Sequence, residues 1–145
     1  MSTKAIQQQI VSNMRHWQKI ENASVASTGN VIEQTENPII RLIMEIIQRD
    51  SQMHYRIQEM IADSLESKTI TLTPDELSEV WDSIEKHIKL EKKTVEYANE
   101  ALAALKGKKM VVQEYLLEYL LIDEKKHNKV LESLATIKKG MYPYG

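Results

Sequence analysis

The stretch LLIDEKKHNKVLESL, residues 120–134, has the 3.6-residue period of an amphipathic helix. Glu124 and His127 fall on its apolar side, in line with Leu120 and Leu131. A carboxylate and an imidazole on a buried face cost free energy unless a partner compensates for their lost hydration. This helix therefore predicts a helical fold with a polar site inside its core.

Three breaks divide the rest of the chain into segments of the same kind. Thr73, Pro74 and Glu76 form a capping-box pattern at a helix start, Gly107 supplies a turn, and Gly140 is expected to stop the last helix. Thr28-Gly29 is a weak point in the first segment. The predicted helices run from about Lys4 to Glu33, from Pro38 to a fading end in ESKTITLTPDEL, from Pro74 to Leu105, and from about Lys109 to Lys139.

The segment TITLT, residues 69–73, alternates like a strand, but a lone strand has nothing to pair with, so we expect an extended connection. The predicted fold class is an all-α four-helix bundle made of two helical hairpins, in a single domain spanning residues 1–145. A crossover between the hairpins and a simple up-down-up-down order both remain open. The aromatic tail MYPYG is expected to lie on a surface or against a neighbouring subunit.

Each apolar stripe is interrupted near its middle by side chains that bind metals. Within each hairpin these side chains lie at similar distances from the turn, so the 1.5 Å rise per residue brings them side by side. Glu21 and His54 are 33 residues apart and Glu91 and His127 are 36 apart, which indicates an internally duplicated hairpin. The interrupting residues are Glu21 in the first helix, Asp50 and His54 in the second, Glu91 in the third, and Glu124 and His127 in the fourth.

Several carboxylates buried together repel one another and lose their hydration, and divalent cations remove this cost. The chain has no cysteine, so a metal would be held by oxygen and nitrogen ligands alone. We therefore predict a site for one or two metal ions. The alternative is a buried Glu/His hydrogen-bond network that holds no metal.

These motifs resemble those of the ferritin-like carboxylate-bridged di-metal proteins of the rubrerythrin and bacterioferritin type. That pattern has one Glu from each of two helices and Glu-x-x-His from each of the other two. Glu124 and His127 in DEKKH match the second motif, and Glu91 in LEKKTVEYANEAL and Glu21 in WQKIENAS resemble the lone glutamates. The resemblance covers residues 17–134, and a narrower one is to the small ferritin-like proteins of bacterial sigma-B general-stress operons.

The resemblance implies two bound iron ions, with manganese or zinc as alternatives, and oxidation of Fe(II) by oxygen or peroxide in iron handling or stress protection. It implies that some carboxylates bridge the ions while His54 and His127 each bind one. Ser51 stands where the pattern has Glu, three residues before His54, and Asp50 is one methylene shorter than Glu. The nearby metal site is therefore expected to be weaker, differently coordinated or empty. The lack of cysteine argues against turnover of the rubrerythrin type, which uses a rubredoxin-like domain.

The composition of the chain indicates which classes of binding partner to expect. The 145 residues carry a formal charge of −2 with both signs mixed along the chain, which speaks against nucleic acid and anionic membranes. The N-terminus lacks the apolar core of a signal peptide, and the absence of cysteine favours a cytoplasmic protein. We expect a homodimer formed through exposed apolar helix faces or the MYPYG tail. The competing functional hypothesis is a metal-free helical bundle that acts as a protein-interaction or structural module.

Several polar and aromatic side chains have a plainer interpretation. His87 lies one turn before Glu91 and is expected to be partly exposed or to support the site without being a ligand, while His16 is expected at the surface. The tyrosines could hydrogen-bond to ligating carboxylates, but amphipathic packing is their default role. The tyrosines in question are Tyr97, Tyr115 and Tyr119.

Overall fold

The structure is a computed structural model, and it describes residues 1–141. Its four helices are α1 (Thr3–Gln34), α2 (Pro38–Glu66), α3 (Pro74–Leu105) and α4 (Val111–Met141). Residues 1–141 contain no β-strand. The fold class is the predicted one: all-α, with four long helices arranged as two helical hairpins, as in a four-helix bundle.

The hairpins are the compact units of the chain. Helix α1 packs on α2 and α3 packs on α4, and the chain divides into a unit of Met1–Ile70 and a unit that begins at Thr71. The division falls within TITLT, which is neither helix nor strand, in agreement with its prediction as a connection. A single domain over residues 1–145 stays a prediction.

Side chains with short polar groups begin three of the helices. Ser2 accepts a hydrogen bond from a backbone amide of the first turn of α1, and Asn37 accepts two at the start of α2. At α3 the Thr73 hydroxyl accepts from the Glu76 amide at 3.3 Å while the Glu76 carboxylate accepts from the Thr73 amide at 3.2 Å. The predicted capping box is therefore confirmed, and caps of this kind stabilise a helix by about 1 kcal/mol.

Neither Gly29 nor Gly140 ends or breaks the helix in which it stands. The predicted stop at Gly140 is wrong, because α4 continues to Met141, and the weak point at Thr28-Gly29 leaves α1 unbroken. A helical glycine costs about 1 kcal/mol relative to alanine, which the packing of a 31- or 32-residue helix outweighs. Gly107, by contrast, has a φ of 78° and forms the predicted turn.

The fourth helix differs from its prediction at both ends. It begins at Val111, two residues after the predicted Lys109, because the turn around Gly107 takes up the intervening residues. At the other end it includes Met141, the first residue of the MYPYG tail. The expectation for the remainder of that tail lies outside the described residues.

Small side chains line the contact between the two helices of each hairpin. Ala62 and Ser51 are buried in the first hairpin and Ala98 in the second, which lets the helices approach closely. Many large apolar side chains are more than a third exposed, among them Met53, Ile57, Met60, Tyr97, Leu120 and Val130. Among the described residues, no helix combines the length and the apolar character needed to cross a membrane.

Candidate metal site

Three of the predicted ligands come together in the second hairpin. One ligand atom each from Glu91, Glu124 and His127 lies within 4.8 Å of the other two. His127 Nδ1 lies 3.4 Å from Glu91 Oε2 and 3.8 Å from Glu124 Oε2, so this ring nitrogen faces both carboxylates. Glu91 is only 8% exposed, and the other two are half-buried. The Glu-x-x-His spacing on α4 and the register of α3 against it produce this group.

Each of these three side chains also has a second contact within the same hairpin. His87 Nε2 lies 2.8 Å from Glu91 Oε1, and the Thr94 hydroxyl lies 2.7 Å from Glu124 Oε2. The outer nitrogen of His127, Nε2, lies 3.5 Å from Asp123 Oδ2. Contacts of this kind fix the orientation of metal-binding side chains and the tautomer of a histidine. The inward-facing atoms are therefore held in place without an ion.

The carboxylate of Glu91 favours its charged form. Its pKa lies below the ordinary value, first because of a hydrogen bond shared with Glu124, and then because His127 and His87 face it, while burial acts in the opposite direction. Two charged carboxylates this close repel each other, and a divalent cation between them would relieve that repulsion.

The donor set suits a transition metal. Two carboxylate oxygens and one imidazole nitrogen are ligands that iron, manganese and zinc accept, whereas calcium and magnesium prefer oxygen alone. Three protein donors leave coordination positions for water or a small oxidant. An apolar cleft of about 410 Å³, lined in part by Thr94, Leu120 and Glu124, adjoins the group. The residues present therefore fit a metal site, and no ion is part of the structure.

The predicted ligands of the first hairpin form a looser group. Glu21 is 6% exposed, and its Oε1 lies 3.6 Å from Nδ1 of His54, which is exposed. Within residues 1–141, Asp50 does not join these two in a three-membered group like that of the second hairpin. Ser51 is buried, and its hydroxyl lies 2.8 Å from that of Ser24. Whether these residues bind a metal stays a prediction.

The two groups occupy equivalent positions in their hairpins. Residues of α1 and α3 correspond at an offset of 70, and residues of α2 and α4 at an offset of 73. The contact between Glu21 and His54 recurs as that between Glu91 and His127. The hydroxyl pair of the first hairpin recurs as the contact between Thr94 and Glu124. The prediction of a duplicated hairpin therefore has a structural counterpart in matching side-chain pairs.

Two contacts of the site went unnoticed in the sequence. Asp123 precedes His127 by four residues, a spacing that puts both on one helical face, so this signal was present in DEKKH. Thr94 follows Glu91 by three residues, but only the pairing of α3 with α4 brings it to Glu124. His87 lies exposed and contacts Glu91, and His16 lies exposed as predicted.

Comparison of the chain with protein-family models, with curated proteins and with solved structures finds no match. The resemblance to ferritin-like proteins therefore rests on the motifs described above. The fold alone does not identify that superfamily.

Proposed function

We propose that this protein is a non-haem metal carboxylate protein of the ferritin-like type that binds iron and oxidises Fe(II) with oxygen or peroxide. The observation that supports this most is the convergence of Glu91, Glu124 and His127 to within 4.8 Å of one another. In the full proposal, Glu21, Asp50 and His54 supply the ligands of a second ion. Iron handling or protection from oxidative or general stress is the corresponding role, in the cytoplasm.

The chemistry follows from the donors. Carboxylate oxygens stabilise the higher charge of Fe(III) relative to Fe(II), so an iron ion bound here would supply one-electron oxidation with oxygen or peroxide as the acceptor. Glu91 and Glu124 would hold the ion through their oxygens, and His127 through the Nδ1 atom that faces them. Asp123 would keep the proton of His127 on the outer nitrogen. Manganese and zinc fit the same donors and are the alternative occupants.

The number of bound ions per chain distinguishes a site in the second hairpin alone from a site in each hairpin. The test is elemental analysis of protein purified from iron-supplemented cells and again after anaerobic addition of Fe(II), with the chain concentration measured independently. About two ions per chain would support the full six-residue set. About one would support the second hairpin alone and reject a second ion near Asp50 and Ser51. None would reject the proposal and leave the metal-free interaction module.

Activity is tested separately from binding. Fe(II) oxidation is followed by the ferric absorbance after oxygen or hydrogen peroxide is added to anaerobic protein. We expect the chain to oxidise Fe(II) faster than buffer does, and the variant with Glu124→Leu and His127→Leu to fall to the buffer rate. Metal binding without accelerated oxidation would reject the oxidase part of the proposal and retain the metal site.

A homodimer belongs to the same proposal. The exposed apolar side chains of α2, among them Met53, Ile57 and Met60, are 49%, 50% and 58% exposed. Apolar patches of this kind on a soluble chain commonly mark an interface. Light scattering coupled to size-exclusion chromatography should give a mass near twice the 16.8 kDa of one chain. A monomer mass at micromolar concentration would reject the dimer and leave the metal proposal unaffected.

A further inference from the structure

His87 stands outside the six predicted ligands and yet makes a short polar contact with the carboxylate of Glu91. Its Nε2 atom lies 2.8 Å from Glu91 Oε1, one helical turn along α3. The other oxygen of that carboxylate, Oε2, lies 3.4 Å from Nδ1 of His127. Glu91 is therefore bracketed by two imidazoles, one at each oxygen. Oε1 of Glu91 therefore contacts His87, and Oε2 faces the other candidate ligands.

The first hairpin has no counterpart of this arrangement. Four residues before Glu21, where the second hairpin has His87, stands Trp17, whose indole is 49% exposed. Glu21 faces one imidazole, that of His54, at 3.6 Å. The hairpins therefore differ at the matching positions of Trp17 and His87. The carboxylate of Glu91 has an imidazole at each oxygen, whereas the carboxylate of Glu21 has an imidazole at one oxygen.

We propose that His87 is a positioning residue of the metal site: it donates its Nε2 proton to Glu91 Oε1 and so presents Glu91 Oε2 to the ion. The inference rests on the proposed metal-binding function. A buried glutamate that is already oriented loses less rotamer freedom when the ion binds, which raises affinity. Removal of a side chain that hydrogen-bonds to a metal ligand typically lowers metal affinity by about 10- to 100-fold.

The test uses Co(II) as the probe, because its visible absorption reports both occupancy and ligand type. Co(II) is titrated into the full chain and into His87→Leu, His87→Gln and His16→Leu. His16 is the matched control, since it is an exposed histidine whose ring contacts only its own helix, at the Ser12 carbonyl. We expect about 10- to 100-fold weaker binding for His87→Leu, unchanged binding for His16→Leu, and at least partial recovery for His87→Gln, whose amide can still donate.

The Co(II) spectrum separates positioning from direct ligation. If His87 only positions Glu91, the bands of saturated His87→Leu should match those of the unaltered chain, and only the affinity should differ. Displaced bands together with no recovery in His87→Gln would overturn the proposal and make His87 a ligand. Wild-type affinity in His87→Leu would overturn it as well.

Two further readouts keep these outcomes distinct. The helix content of metal-free His87→Leu should match that of the unaltered chain, and its Tm should fall by no more than a few degrees, because the carboxylate of Glu91 keeps its contact with His127. A large loss of helix content or of Tm would mean that His87→Leu weakens metal binding by destabilising the fold, which would overturn the positioning role. If the unaltered chain binds neither Co(II) nor Fe(II), the proposed function itself fails, which is a different result from a chain that binds equally well with and without His87.

Discussion

The two hairpins share one framework, and one of the positions at which they differ changes the charge of the buried polar group. Both pair a buried glutamate with a histidine across the helices, and both place a hydroxyl side chain of the first helix against the second. In the first hairpin the partner of that hydroxyl is Ser51, and in the second it is Glu124. One serine in place of a glutamate therefore leaves the group of Glu21 and His54 one carboxylate short of the group of Glu91, Glu124 and His127.

The hairpins also differ in how their helices are held together away from these groups. In the first hairpin, Arg15 of α1 donates to the carboxylate of Glu59 on α2 at 2.6 Å, and Gln18 donates to the same oxygen at 2.7 Å. In the second, the ammonium of Lys138 lies 5.1 Å from the ring centre of Trp81. An ion pair ties the first hairpin and a cation–π contact ties the second.

The largest effect should come from removing the charged group of the second hairpin. In a chain with Glu124→Leu and His127→Leu, we expect the tightest metal equivalent to weaken by about 100-fold or more, since two of three candidate ligands are gone. Metal-free stability should be unchanged or higher, because apolar side chains replace a buried polar group without loss of packing. Equilibrium dialysis and urea denaturation measure the two quantities.

The matched control for that pair is Glu118→Leu, which removes an exposed glutamate from the same helix. It should leave metal affinity unaltered. If the double variant binds metal as tightly as the unaltered chain does, the second hairpin is not the metal site. The additional carboxylate of the second hairpin would then have no part in metal binding.

A smaller effect is expected when the first hairpin is made to resemble the second. Ser51→Glu restores Glu-x-x-His to α2 and places a second carboxylate near Glu21 and His54. The metal-free chain should lose about 1 to 3 kcal/mol of stability, because a buried charge replaces a hydrogen-bonded hydroxyl. A further metal equivalent should bind at least about tenfold more tightly than before.

The readout for Ser51→Glu is the urea midpoint with and without metal, together with metal stoichiometry by dialysis. Metal should recover the lost stability by mass action. Addition of Trp17→His to the same chain tests whether a histidine four residues before Glu21, like His87 before Glu91, raises metal affinity. Loss of stability with no additional metal binding would show that position 51 does not decide the difference.

The smallest effect concerns acid. Hydrogen bonds from Gln18 and then Arg15 lower the pKa of Glu59 below its ordinary 4.5. A carboxyl group whose pKa is lowered by folding contributes stability above that ordinary value and loses the contribution as the pH falls through the folded-state pKa. Glu59→Gln should therefore show a shallower fall of Tm than the unaltered chain below about pH 4.5.

The difference in Tm should be no more than a few degrees, because this ion pair is exposed and screened by salt. Thermal unfolding followed by circular dichroism between pH 7 and pH 3 measures it, with Glu114→Gln, an exposed glutamate of α4, as the control. Identical pH dependence in Glu59→Gln and the unaltered chain would contradict a stabilising role for this pair.

The sequence predicts local features well when the signal is local. The capping box at Thr73 and the turn at Gly107 depend on a few neighbouring residues, and both are present. The stop predicted at Gly140 fails because a weak local preference competes with the packing of a whole helix. The pairing of Glu124 with His127 in the second hairpin follows from periodicity, since the two residues share a face of α4.

The sequence predicts contacts across helices only in part. Equal distances from the turn place Glu91 beside His127, but the contact of Thr94 with Glu124 also depends on the rotation of α3 against α4, which residue spacing does not define. Asp50 shares a stripe with His54, yet it does not complete a three-membered group within the described residues. Side-chain length and the rotation of each helix about its axis determine whether Asp50 reaches Glu21 and His54, and a hydrophobic pattern specifies neither.

The hydroxyl pair formed by Ser24 and Ser51 has a consequence for the order in which the chain is made. Residues 1–70 leave the ribosome before the second hairpin, and this neutral pair takes the position that the carboxylate of Glu124 has in the second hairpin. We expect the N-terminal half to fold during translation whether or not metal is available. Under the proposed function, scarcity of metal would then have its larger effect on the half that is synthesised last.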